Sequence, residues 1–183
     1  FYTSCAGGLN IFYEKELQRT NATGHHVKIH VHDFLSGHTG ILIQENRQNA
    51  DKWLARILIA AREHGFDFLL SNIQGGEMHN AIPHDAVAEV VLKDAVADFT
   101  AFVKQYHNGL VEENKLIETN IPKIEVTTEG DLQPFSKEDT NTLLNLIEAI
   151  PHGVFCMSPA IQGMVNTSQS LSVLKIENNK VLI

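Results

Sequence analysis

"HVKIHVHDFL", residues 26–35, alternates without a break: Val27, Ile29 and Val31 fall on one face, and His26, Lys28, His30 and His32 on the other. Successive strand side chains point to opposite faces, so this run is a strand with one buried and one wet side. Such a strand needs partner strands beside it and an apolar layer over its inner face. The period then changes. Ala50, Trp53, Leu54, Ile57, Leu58 and Ala61 recur at helical spacing, which predicts a helix over 46–63 stopped by His64-Gly65.

The remaining elements follow the same two periods. "FDFLLSNIQ" (66–74) and "DAVAEVVLK" (85–93) are expected strands, joined by the loop "GGEMHNAIP" (75–83). A second helix is expected over 94–117, burying Val96, Phe99, Val103, Tyr106 and Leu110, followed by a strand at 122–129. Ser136, three residues before Asp139, resembles a capping box for a third helix that buries Leu143, Leu144 and Ile147 and ends at Pro151. "LNIFYEKELQ" (9–18) is strand-like, and the tail is expected to hold strands at 153–158, 168–176 and 180–183. This order predicts an α+β fold, an antiparallel sheet with helices packed on one face. A ferredoxin-like βαββαβ core spans 25–130, with an α-β-β extension over 131–183 and a leading segment at 1–20.

With 183 residues, the chain can form one domain or two small subdomains sharing a sheet. A formal net charge of −8 argues against a nucleic-acid partner, which needs a basic face. No apolar run approaches the roughly 20 residues that span a bilayer. Two cysteines, Cys5 and Cys156, make no disulfide framework, so a reducing cytoplasm is the expected compartment. The chain opens with "FYTSCAGGLN", which has no signal-peptide pattern, and stops inside a strand-like "ENNKVLI". Both edges lead us to expect a segment of a larger protein.

Few residues offer chemistry by themselves. His38 stands in "SGHTG" between Gly37 and Gly40, which reads either as an ordinary strand-to-helix loop or as a backbone path that projects the imidazole outward. Asn80 sits at a strand entrance after the Gly75-Gly76 turn, able to bond its own backbone or a ligand. His30 and His32 have a spacing that can chelate a metal, but no carboxylate or thiolate accompanies them on the strand face, which favours a solvated surface. His25-His26 reads as part of a turn, Glu112-Glu113 as a solvated helix exterior, and Cys156 as a strand thiol of the buried, inert kind. There is no phosphate-binding glycine pattern and no nucleophile elbow.

Four stretches carry a resemblance in order along the chain: "CAGG" (5–8), "SGHTG" with "NRQNADKWLARIL" (36–58), "GGEMHNAIP" (75–83), and "IPHGVFCMSPAIQGMVNTSQSLSV" (150–173) with "ENNKV" after it. Together they resemble the aminoacyl-histidine dipeptidases, also called Xaa-His or cytosolic non-specific dipeptidases, zinc metallopeptidases related to carnosinase. The resemblance implies a lid and dimerisation domain, inserted within a catalytic domain that carries two zinc ions. None of the zinc ligands has a counterpart here, so no metal is expected in this chain, and residues 1–20 would lead in from the catalytic domain. By the same resemblance His38 stabilises the oxyanion of the tetrahedral intermediate, serving the neighbouring subunit of a homodimer, and Asn80 holds the dipeptide substrate. Glycine flanks would suit a residue that travels with lid closure.

His79 stands where relatives often have Arg, Cys156 where some have Arg, and Asn166 where they have Glu, while Thr167 and Ser168 stay. These departures leave dipeptide preference open. A related aminoacylase- or carboxypeptidase-type amidohydrolase, or a free-standing ferredoxin-like interaction module, are the competing expectations.

Overall fold

The chain, described over residues 7–183 of a computed structural model, begins with β1 (Glu14–Glu16), β2 (His25–His32), β3 (Gly37–His38) and a 3-10 turn at Ile43–Glu45. It continues through α1 (Ala50–His64), β4 (Phe68–Gly75), β5 (Ala81–Ile82), β6 (Ala86–Leu92), α2 (Val96–Asn114) and β7 (Lys123–Thr127). The last part comprises α3 (Lys137–Ala149), β8 (Gly153–Met157), β9 (Val165–Gln169), β10 (Lys175–Glu177) and β11 (Lys180–Leu182). Cys5 lies outside the described residues.

The central sheet is antiparallel, in the order β4-β6-β2-β7. That order is the ferredoxin-like βαββαβ arrangement, in which the first and last strands of the core lie side by side. Val27, Ile29 and Val31 are fully buried, as the alternation requires, and α1 packs over β2, β4 and β6 with α2 and α3 beside it. Asn49 caps α1, its side chain accepting from the Asp51 and Lys52 amides. Lys52 Nζ crosses to the end of α3, donating to the carbonyls of Ile147 (2.7 Å) and Ile150 (2.9 Å). Lysine is well placed there, because a helix C-terminus presents unpaired carbonyls and partial negative charge.

The expected cap of α3 forms in part. The Ser136 hydroxyl accepts from the Asp139 amide at 3.1 Å, but the Asp139 carboxylate does not return to the Ser136 N–H. It accepts instead from Gln18 N (2.8 Å), the Ser136 hydroxyl and Lys15 Nζ. Asp139 thereby ties the first strand to α3. The α2 stripe also shifts slightly: Phe99, Val103 and Leu110 are buried as expected, with His107 joining them, while Tyr106 is only half-buried.

Four expectations need correction. The strand-like run 9–18 is a strand only at Glu14–Glu16, because Leu9, Ile11 and Phe12 are exposed and, among the described residues, have no strand beside them. His25-His26 is not a turn; it begins β2 and pairs with Leu92 and Val91, since Gly24 ahead of it absorbs the bend. The tail strand expected at 168–176 divides into β9 and β10, separated by the buried Leu171, Ser172 and Leu174. Cys156 is exposed, because β8 and β9 form a two-stranded ribbon outside the core. Among the described residues, β1, β11 and β10 make a further three-stranded antiparallel sheet beside the central one.

Candidate functional site

Two segments on either side of α1 and β4 meet at one exposed edge. β3 and β5 are only two residues each, and they pair antiparallel with His38 opposite Ala81 and Gly37 opposite Ile82. Thr39 N donates to the Asn80 carbonyl at 2.9 Å, which continues the pairing by one step. His38 and Asn80, more than forty positions apart in sequence, are therefore neighbours across one short bridge. Both side chains are exposed.

The first glycine flank is a geometric requirement and the second is not. Gly37 has φ +142°, and a Cβ there would meet Leu42 Cδ1 at 2.5 Å. Gly40 has no positive φ; its hydrogen atoms face the His38 ring, and its N–H donates to His38 Nδ1 at 3.0 Å. In the neutral ring, a lone pair used at Nδ1 leaves the proton on Nε2. That atom has no hydrogen-bond partner among the described residues. His38 thus presents an outward N–H donor.

The segment beneath His38 is held firmly. Glu118, 1% exposed, accepts from Leu35 N (2.9 Å) with one oxygen and from Gln48 N (2.6 Å) with the other, joining the two ends of the segment that carries His38. Arg47 bonds the Ser36 carbonyl and Glu45, and the Ser36 hydroxyl donates to Ile82 O at 2.6 Å. The loop bearing Asn80 is fixed by Gly76, whose φ of +66° and close approach to the Ser172 carbonyl exclude any side chain. Gly75 exchanges two backbone hydrogen bonds of 2.8 Å with Leu174.

The 150–173 stretch reaches the same place. Burial depresses the His152 pKa, so its ring is neutral; Nε2 faces the Arg47 carbonyl at 3.3 Å and Nδ1 faces the Asn49 amide at 3.4 Å. Asn49 also donates to Leu171 O at 2.7 Å, and β8 lies against the 3-10 turn. Three stretches chosen from sequence thus converge on one edge. Glu118, Asn49 and His152 were not singled out in the sequence, since a lone glutamate or asparagine carries no pattern until its backbone partners are known.

The other candidates separate from this edge. Glu112 and Glu113 are exposed on α2, paired with Lys115 (2.9 Å) and Arg56 (3.8 Å). His30 and His32 lie on the face of β2 opposite the buried Val27, Ile29 and Val31. β2 itself carries no carboxylate on that face, but the neighbouring β7 brings Glu125 directly opposite His30. Among the described residues, the cluster with metal-ligating geometry is His30, His32 and Glu125; neither His38 nor Asn80 belongs to it.

No family model matches the chain. It is 30% identical, over its full length, to the cytosol non-specific dipeptidase of Escherichia coli (strain K12), covering 38% of that protein. The crystal structure of the aminoacylhistidine dipeptidase from Vibrio alginolyticus superposes with a TM-score of 0.83 at 29% identity, over 93% of this chain and 35% of that one. The chain therefore spans a little over a third of the length of these relatives. In sequence from end to end and in fold, it is similar to one segment of the cytosol non-specific, or aminoacylhistidine, dipeptidases.

Proposed function

We propose that this chain is the lid of a zinc-dependent dipeptidase that hydrolyses Xaa-His and other dipeptides, with His38 stabilising the oxyanion and Asn80 contacting substrate. The observation that carries the reading is the meeting of His38 and Asn80 at one exposed bridge on a braced scaffold. An N–H donor aimed outward, on a segment whose ends are pinned, suits a group that must arrive with its geometry already set. The amide of Asn80 can donate and accept, as a peptide substrate requires.

Among the described residues, those at this edge do not form a two-metal centre, so the implied zinc ions would be held elsewhere in the parent protein. What the chain itself contributes is positioning and charge stabilisation. As the carbonyl carbon becomes tetrahedral, its oxygen gains negative charge, and the His38 Nε2–H bond strengthens in step. A cytosolic parent is part of the same reading, and the name of the Escherichia coli relative supports it. Among the described residues, no helix is long and apolar enough to cross a membrane. We also propose a homodimer through this domain, with His38 serving the partner subunit; β7, at the edge of the central sheet, leaves one side open for pairing.

The test is a substrate panel on the parent protein. Zinc-dependent cleavage of Xaa-His and other dipeptides is expected, abolished by a chelator and restored by zinc. Cleavage of N-acyl amino acids with no dipeptide turnover would assign the protein to the related amidohydrolases instead.

A further inference from the structure

On the face of β2 turned away from Val27, Ile29 and Val31, His30 and His32 stack with ring centroids 4.6 Å apart. Register explains why Glu125 joins them. Residues opposite each other in an antiparallel pair share a face, and His30 pairs with Glu125 of β7 while His32 lies one step diagonal. One ligand atom from each of the three lies within 4.8 Å of the others. His32 Nε2 is 3.5 Å from Glu125 Oε1, and His30 Nε2 is 3.7 Å from Asp85 Oδ2.

Both Nε2 atoms are buried and have no hydrogen-bond partner among the described residues. Such atoms are uncommon, because a buried polar group without a partner is costly. The other ring nitrogen of His32 stands 3.1 Å from Asp33 Oδ1, and Asp33 is itself paired with Lys123 at 2.7 Å. A carboxylate at Nδ1 favours the proton on that side and turns the Nε2 lone pair toward Glu125. Carboxylates orient metal-binding histidines in the same way. In the neutral ring that lone pair faces carboxylate, two acceptors with no proton between them.

We propose that His30, His32 and Glu125 bind a divalent first-row transition ion of the zinc type, with Asp85 offering a further oxygen. Two imidazoles and a carboxylate suit zinc, whereas calcium and magnesium take oxygen-only sets. The donors around a tetrahedral zinc lie closer together than they do here, since Zn–N and Zn–O distances are about 2.0–2.2 Å. Glu125, whose side chain is largely exposed, is free to close that gap. Bound there, the ion bridges β2 and β7 and fastens an edge strand that has a neighbour on one side only. This site is independent of the dipeptidase reading, because neither His38 nor Asn80 takes part in it.

Calorimetric titration of the chelator-treated chain with zinc tests this, with cobalt absorption as a second readout. About one zinc per chain should bind, cobalt should give the visible bands of a four-coordinate site, and zinc should raise the melting temperature. His30→Asn, His32→Asn and Glu125→Gln should each weaken binding at least tenfold, while His25→Asn and His64→Asn, elsewhere on the surface, leave it unchanged. Glu125→Gln alters an exposed side chain and keeps the fold, so its effect cannot be assigned to unfolding. No binding above that of a surface histidine, equal binding by all five variants, or a preference for calcium or magnesium would overturn the assignment.

Discussion

At the scale of single residues, two buried aspartates respond to pH in opposite directions. Asp51 is fully buried, neither carboxylate oxygen has a hydrogen-bond partner among the described residues, and burial, aided by the Asp85 charge, pushes its pKa well up. A raised folded-state pKa makes stability that is complete below the unfolded value near 3.8 and is lost as pH rises through the folded value. Asp51→Asn removes the ionisation. It should therefore gain on the wild type between pH 4 and 7, read from urea unfolding at both; parallel profiles would contradict the burial argument.

Asp139 shows the reverse. Burial opposes its ionisation, but the Lys15 ammonium, the Gln18 amide and the Ser136 hydroxyl hold its pKa below the usual carboxylate range. Its contribution is present above the unfolded pKa and is lost as pH falls through the folded one. Asp139→Ala should cost about 2–3 kcal/mol near neutral pH, as loss of hydrogen bonds to a buried charge does. The deficit should shrink in acid, as denaturant midpoints will show.

At the scale of elements, what was legible in sequence depends on period and burial. β2, α1 and α3 could be read because an inner face repeats at 2 or 3.6 residues and that face is truly covered. The β8-β9 ribbon has no covered face, so Cys156 and its neighbours carry no alternation to read. His30 and His32 were legible as a pair, but Glu125 lies on another strand and only the sheet order brings it near. That order was available in principle, since a βαββαβ core sets its first and last strands side by side. The bridge between β3 and β5 offered no such signal, as two-residue strands have no period; resemblance alone linked His38 to Asn80.

The loop carrying Asn80 gives an element-scale prediction. A Cβ at Gly76 would fall 2.0 Å from the Ser172 carbonyl oxygen, in a backbone region unfavourable to other residues. Gly76→Ala should therefore lose at least about 1–2 kcal/mol of stability and, on the proposed dipeptidase reading, raise KM for dipeptides by displacing Asn80. Gly40→Ala, where φ is ordinary, should fold normally and act only by nudging the His38 ring. Equal melting temperatures for the two variants would contradict this difference.

At the scale of the whole molecule, the chain is a braced platform that presents two side chains outward and covers a little over a third of its relatives' length. If the parent is a dimer with His38 acting across the interface, two inactive variants should rescue each other. One lacks His38 and the other a carboxylate of the metal centre. After random subunit exchange the mixture should recover up to roughly a quarter of wild-type activity. A mixture that stays inactive after verified exchange would place His38 in its own subunit's site.

The role proposed for His38 is tested most directly by the kinetics of His38→Ala in the parent protein, with the melting temperature measured on the same sample. An oxyanion donor acts in the transition state, so kcat should fall about a hundred- to a thousandfold with KM changed far less. The melting temperature should barely move, because the side chain is exposed and bonds only the Gly40 amide. Unchanged kcat, or a loss of activity matched by a loss of stability, would contradict the account.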